Sequence, residues 1–254
     1  MSSRWCLPRI VAHRCGGALA PENTLAGLRV AAALGCGGVE FDVQASADGR
    51  AVVIHDERLD RTTDRVGPVV GLTAAELAIC DAGIRHHPAF AGEHVPRLAE
   101  VAALCRSLGL VANVELKCND DEGEAMARLV APQVAECWRG AKVPPLISSF
   151  SEAALACAAL VAADLPRALL VEAVPADWRG RLSRLGCIAL HCHVDALEEA
   201  LVRDVHGAGF RIAAYTVNDP AHAARWFALG VDALFSDRPE LLLAHNPAAS
   251  GGPP

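Results

Sequence analysis

The sequence predicts an α/β barrel, a ring of parallel strands with helices packed around its outside. Three observations lead there. First, 254 residues is a length that a single such barrel commonly takes. Second, a helix-patterned run closed by Gly and followed at once by a β-like run appears five times. The pairs are LRVAAALG–GVEFDVQ, LAEVAALCRSLG–LVANVELK, WRGRLSRLG–CIALHCH, LEEALVRDVHGAG–FRIAAYTV and AHAARWFALG–VDALFSD. Glycine past the last turn stops each helix, and Val/Ile/Leu-rich strands in repeated αβ units imply a parallel sheet covered by helices. Third, HRCGGALAPENT, after the first apolar run, lacks the G-x-G-x-x-G loop that opens many doubly wound sheets, which favours a closed ring.

In order, the expected strands are 10–13, 38–44, 51–55, 110–117, 145–149, 167–171, 187–193, 210–217 and 232–236. That is nine for a ring of eight, so one lies outside it. Only ASADGR and its neighbours separate Val43 from Val52, too few for a helix, and the barrel is expected to lack one helix there. Residues 57–96 show no βα unit and read as a small, turn-rich insertion, long enough to expect function of it. Asp195 and Glu198 make a D-x-x-E capping box, and Asp219-Pro220 a cap followed by Pro in the first turn. A single domain over 8–243 and a disordered tail over 246–254 complete the expected layout.

Composition narrows the function. An apolar fraction of 52% with 21% charged residues supports a sizeable core, and a net charge of −7 argues against nucleic acid as a partner. An anionic substrate stays open, because a bound metal with a few Arg or Lys side chains inverts the local field. The ten cysteines form no C-x-x-C pair and read as free thiols in a reducing compartment. Neither a signal peptide nor a membrane span is visible, so a cytoplasmic location is expected.

The chemistry gathers at strand ends. Residues two apart on a strand share a face, so Glu40 and Asp42 point together while Phe41 and Val43 point to the helices. Glu115 and Lys117 repeat the arrangement. Three carboxylates from two strands make a hard oxygen site for Mg²⁺ or Ca²⁺, with Mn²⁺ or Co²⁺ as alternatives. His13 and His55 each close a buried run, at the end of the barrel where active sites gather, and suit acid–base work near neutral pH. Arg14 and Lys117 offer fixed positive charge to a phosphate. Phe150, Tyr215 and Trp178 are candidates to line a pocket for an organic group. His191 and His193 read as substrate-lining or hydrogen-bonded, the histidines at 86–87 as solvated or bordering the mouth, and Asp237 as a support for His13 or for a metal ligand.

Taken together, HR-x-G at 13–16, PENT at 21–24, E-x-D at 40–42, DG-x-x-V-x-x-HD at 48–56 and E-x-K at 115–117 resemble the glycerophosphodiester phosphodiesterase family. SSF at 148–150, YTVN at 215–218 and GVDALFSDRP at 230–239 fit it as well. PRIVAHR, the DW…RLGC segment at 177–187 and Tyr215 look closest to its cytoplasmic bacterial enzyme. The resemblance implies a TIM (β/α)8 barrel with an insertion after His55. It implies Glu40, Asp42 and Glu115 as metal ligands, His13 and His55 as the acid–base pair, and Arg14 and Lys117 on the phosphate. The implied reaction is metal-dependent hydrolysis of diesters such as glycerophosphocholine and glycerophosphoethanolamine to sn-glycerol 3-phosphate and an alcohol, with the glycerol 2-hydroxyl as one candidate nucleophile.

One position departs from the family pattern: Cys15 stands where the usual residue is Gly. If the backbone there is left-handed, the Cβ costs about 1 kcal/mol or more. Two other readings rank lower. A lysophospholipase D-type lipid phosphodiesterase wants exposed apolar loops, and the insertion offers only Phe90 and scattered aliphatics. A catalytically inactive phosphate-binding barrel would be expected to have lost a histidine or a carboxylate, and none is lost. A homodimer is compatible with the sequence and not required by it.

Overall fold

The computed structural model describes residues 5–245, so the tail expected to be disordered lies outside the described residues. The nine apolar runs form β1 (Ile10–Ala12), β2 (Gly38–Ala45), β3 (Ala51–Val53), β4 (Val111–Leu116), β5 (Leu146–Ser149), β6 (Arg167–Val171), β7 (Ala189–His193), β8 (Arg211–Tyr215) and β9 (Ala233–Ser236). Eight of them make a parallel ring in the order β1-β9-β8-β7-β6-β5-β4-β2, closed by the β1–β2 pairing. The ninth, β3, lies antiparallel against β2, with Val43 opposite Val53 and Ala45 opposite Ala51.

That pairing corrects one expectation. The helix-free link leads to a hairpin arm outside the ring, because so short a connection can join only antiparallel strands. The helix of that unit, α3 (Leu98–Leu108), comes after the insertion. The barrel therefore keeps the helix that it was expected to lack. The other connections hold α1 (Leu25–Ala33), α4 (Asp120–Cys137), α5 (Glu152–Val161), α6 (Trp178–Leu185), α7 (Glu199–Gly207) and α8 (Pro220–Ala228), and α9 (Pro239–His245) follows β9.

Local chemistry sets the helix ends. Gly35, Gly109, Gly186, Gly209 and Gly230, the five glycines of the repeated phrase, all have positive φ, between 62° and 99°. Asp219 caps α8 through the His222 amide, with Pro220 in the first turn. The box expected at Asp195 does not form: Asp195 lies in a 3-10 turn, and α7 starts at Glu199 without a side-chain cap.

Two apolar layers hold the barrel. Phe41, Val43, Val114, Leu116 and Leu169 pack outward against the helices. Inside, Ala168, Ala189, Ala213 and Ala233 are small enough to leave room for Leu7, Leu146 and Phe235, so the segment before β1 plugs the floor. The insertion has a core of its own, with Leu59, Val69, Leu77 and Val95 packed on Val52 and Ile54. It is pinned by α2 (Ala74–Leu77) with its Thr73–Glu76 capping box and by the Val52–Arg97 bridge. Among the described residues no helix is long and apolar enough to cross a membrane.

Candidate active site

The polar residues at the carboxyl ends of β1, β2 and β4 converge. Glu40 and Asp42 alternate with the outward Phe41 and Val43, and the register sets Asp42 beside Glu115 and Glu40 beside Asn113. One oxygen each from Glu40, Asp42 and Glu115 lies within 4.8 Å of the other two. Glu40 is 3% exposed and Asp42 1%. Burying three carboxylates this close is costly unless positive charge compensates them.

The chain supplies part of that compensation. The Arg14 amide donates to Glu40 Oε2 at 2.9 Å. Asn23 grips Asp42 from two sides, donating from Nδ2 to Oδ2 at 2.8 Å and accepting from the Asp42 amide at 3.1 Å. Lys117 Nζ lies 2.8 Å from Glu115 Oε1 and 3.8 Å from Asp42 Oδ1. Glu40 Oε1 is buried with no hydrogen-bond partner among the described residues. Burial first, then the Asp42 charge, pushes both Glu40 and Glu115 well above the usual carboxylate range. A buried oxygen without a donor, in a set of hard ligands, fits a divalent cation.

Each histidine is held by an aspartate. His13 Nδ1 lies 2.6 Å from Asp237 Oδ1, and its Nε2 faces Glu40 Oε2 at 3.8 Å. Asp237 is itself fixed by Asn218, whose Nδ2 donates to Oδ2 at 3.3 Å and whose Oδ1 accepts from the Asp237 amide at 2.8 Å. His55 Nδ1 lies 2.7 Å from Asp56 Oδ1. A carboxylate on Nδ1 selects the tautomer that leaves Nε2 for the substrate. Burial lowers the affinity of His13 for its proton, but the Asp237 hydrogen bond and the Glu40 charge outweigh it and raise His13 above its ordinary value. For His55 burial prevails over Asp42 and Asp56 and lowers it.

The sequence reading missed Arg61 and Asn218. Arg61, from the insertion, reaches Glu22 with two hydrogen bonds of 2.7 Å and Asp56 with two of 2.6 and 2.9 Å. It ties the insertion to both the His55 support and the loop of Arg14, whose Nη1 donates to Glu22 at 3.1 Å. RTTD at 61–64 and YTVN at 215–218 were visible as turn and motif, but no spacing rule links them to residues so distant in sequence.

The other expected residues divide. Phe150 and Tyr215 meet edge to face at 6.0 Å, with Lys117 Nζ 5.8 Å from the Phe150 ring. Both stand at the site, and the Tyr215 hydroxyl donates to the Val171 carbonyl at 2.9 Å. Trp178 instead meets Phe210 edge to face at 6.3 Å and joins the packing outside the ring. His193 stands beside Tyr215 at 5.7 Å. His191 neither lines the site nor forms a hydrogen bond among the described residues; it is fully buried between Trp5 and Phe235, and burial lowers its pKa to about 3.

Cys15 has φ +76°, so the backbone is left-handed there. Its thiol faces the core with no exposure, and burial pushes it well above its ordinary pKa. It is a packing residue. Gly27 makes the space, since a Cβ built there would stand 2.9 Å from the Cys15 Cβ.

A closed (β/α)8 ring that carries two histidine–aspartate pairs and a hard-ligand cluster at the carboxyl ends of its strands has the layout of a barrel enzyme. Residues 13–241 match the model of the glycerophosphoryl diester phosphodiesterase family, and the chain belongs to that family. A glycerophosphodiester phosphodiesterase of Caldanaerobacter subterraneus subsp. tengcongensis is 33% identical over 244 residues, 96% of this chain and 98% of the relative. The Oleispira antarctica phosphodiesterase, solved in complex with the product sn-glycerol-3-phosphate, matches at TM-score 0.89 and 35% identity over 94% of this chain and 96% of that one. A glycerophosphodiester phosphodiesterase from Agrobacterium tumefaciens matches at TM-score 0.79 and 29% identity, over 94% of this chain and all of that one. The chain is thus an enzyme of the glycerophosphodiester phosphodiesterase class.

Proposed function

We propose that the chain hydrolyses small glycerophosphodiesters, among them glycerophosphocholine and glycerophosphoethanolamine, to sn-glycerol 3-phosphate and an alcohol, and that it needs a divalent metal to do so. The observation that carries the metal is the buried carboxylate set with its donorless Glu40 oxygen. The product bound in the Oleispira relative supports the glycerol phosphate half of the substrate.

Glu40, Asp42 and Glu115 would hold the cation, with Mg²⁺ or Ca²⁺ ahead of Mn²⁺ or Co²⁺ for an all-oxygen set. When bound, such an ion polarises a phosphoryl oxygen and balances the carboxylates. Arg14 and Lys117, each anchored by carboxylates on one side, direct their remaining donors to the phosphate. Of His13 and His55, one takes at Nε2 the proton of the attacking water, or of the glycerol 2-hydroxyl whose cyclic phosphate a water then opens, and the other gives a proton from Nε2 to the leaving alcohol oxygen. Asp237 and Asp56 fix both rings in the tautomer that this exchange needs. Phe150 and Tyr215 wall the site on the Lys117 side. Ten free thiols support a reducing, cytoplasmic location, and sedimentation of the purified chain would decide whether it acts as a homodimer.

The test is release of sn-glycerol 3-phosphate from glycerophosphoethanolamine before and after EDTA. Loss on chelation and return with added Mg²⁺ or Ca²⁺ is expected. Full turnover by the chelated protein would remove the metal from this proposal.

A further inference from the structure

Two cavities of opposite character flank the site. One, of about 560 Å³, is bordered by His13, Arg14, Glu22, His86 and Asp237, so it is polar. The other, of about 980 Å³, starts from His55 and Lys117 and runs out between the insertion and α4. Its walls are Ala45, Pro68, Val70, Met126 and Leu129. Val70 is 65% exposed and Leu129 48%. Large aliphatic side chains are held open to water along a channel that begins at a catalytic histidine.

From this contrast, and resting on the phosphodiesterase reading above, we propose that the groove seats the leaving alcohol of the diester and favours one with an apolar chain of several carbons. The polar cavity matches the hydroxyls of the glycerol half, which leaves the apolar groove to the group across the phosphorus. Continuity carries the assignment: His55 and Lys117 line the groove itself, so a diester held by them has its far substituent at the groove mouth. Glu57, Glu122 and Arg58 also line the groove, carboxylates and a guanidinium together, so apolar contact rather than charge sets the fit of the tail. The insertion alone looked too poor in apolar residues for a lipid phosphodiesterase. The structure adds the Met126 and Leu129 side of α4, which shares a face with Glu122 at helical spacing.

The test is kcat/KM for glycerophosphoethanolamine and for the ethyl, butyl and octyl esters of glycerol phosphate. From ethyl to octyl we expect a rise of roughly tenfold, because each methylene buried in a half-open groove gains part of its transfer free energy. Val70→Asp and Leu129→Asp, neither in the catalytic machinery, should flatten that series and leave glycerophosphoethanolamine within about twofold of wild type. A flat or falling series in wild type, with glycerophosphoethanolamine still hydrolysed, overturns the groove and spares the activity. A gain seen only with 1-octanoyl lysophosphatidylethanolamine, whose chain sits on the glycerol, overturns the assignment to the leaving alcohol. If no diester is hydrolysed the activity reading fails, and calorimetry with the octyl ester decides the groove: equal affinity for wild type and Leu129→Asp rejects it.

Discussion

Arg61 holds Asp56 with two parallel hydrogen bonds, Nε to Oδ2 at 2.6 Å and Nη2 to Oδ1 at 2.9 Å, and Asp56 in turn holds His55 at 2.7 Å. The insertion therefore reaches the proposed catalytic ring through Asp56. Planar two-point contacts of this kind fix angle as well as distance.

Removing the guanidinium should slow catalysis without emptying the site. For Arg61→Ala we expect kcat to fall about 10- to 100-fold, the scale seen when a group that orients a site residue is lost, with KM for glycerophosphoethanolamine changed less. The lysine replacement keeps the charge and loses the fork, so it should rescue only part. Wild-type kcat in Arg61→Ala would show that Asp56 orients His55 alone.

Glu40 and Glu115 are held above the usual carboxylate range by burial and by Asp42. The sign follows: near neutral pH the metal-free cluster retains a proton, and a cation entering it must displace that proton. Metal affinity should therefore rise with pH through the neutral range. Calorimetric titration with Mg²⁺ or Ca²⁺ in buffers of different ionisation enthalpy should show proton release, and none released at pH 6.5–7.5 would contradict the raised values.

The same burial makes Glu40 a stability cost in the metal-free protein. A carboxylate whose folded pKa is raised loses stability as pH climbs from the unfolded value toward the folded one. Glu40→Gln keeps the shape and removes the charge. In EDTA at pH 7.5 it should stabilise the fold by about 1–3 kcal/mol, or a few degrees in Tm, while turnover falls by at least about a hundredfold. An active Glu40→Gln enzyme would reject the ligand role.

His191 makes a second pH-linked prediction. Its folded pKa is lowered to about 3 from 6.5, so between those values the unfolded chain binds a proton that the folded one refuses. Stability should fall as pH drops through this window, by up to about 1.4 kcal/mol per unit. Urea unfolding of wild type against His191→Leu measures it: the stability difference should change with pH below 6.5 in favour of the variant. A pH-independent difference would mean that His191 is already paired when folded.

Gly27 should tolerate no side chain. A Cβ there meets the Cys15 Cβ at 2.9 Å and the Gly16 amide at 3.0 Å, so Gly27→Ala should cost about 1–3 kcal/mol. It should also reduce turnover by moving the loop whose Arg14 amide holds Glu40. An alanine variant with wild-type Tm and kcat would show that the loop shifts freely.

Much of the site was legible because its signals are local. Glu40 with Asp42 and Glu115 with Lys117 sit two apart on strands, and that period alone puts each pair on one face. The helix-stopping glycines were readable for the same reason, since a left-handed residue after the last turn is a one-position property. His13 and His55 showed themselves by closing apolar runs.

What tertiary structure decided is what depends on partners far along the chain. Nine β-like runs cannot say which one lies outside the ring, because strand patterning carries no information on direction. Only the antiparallel pairing of β3 with β2 shows that the barrel keeps its helix. Register put Asp42 beside Glu115, and packing took His191 from the site to the floor. Arg61 and Asn218 became supports of the two histidines through contacts across 5 to 39 residues of sequence. Residue spacing along the chain set the periodic chemistry of each strand. The closing of the ring determined which of those groups meet, because contact energies act between neighbours in space and leave no fixed spacing in the chain.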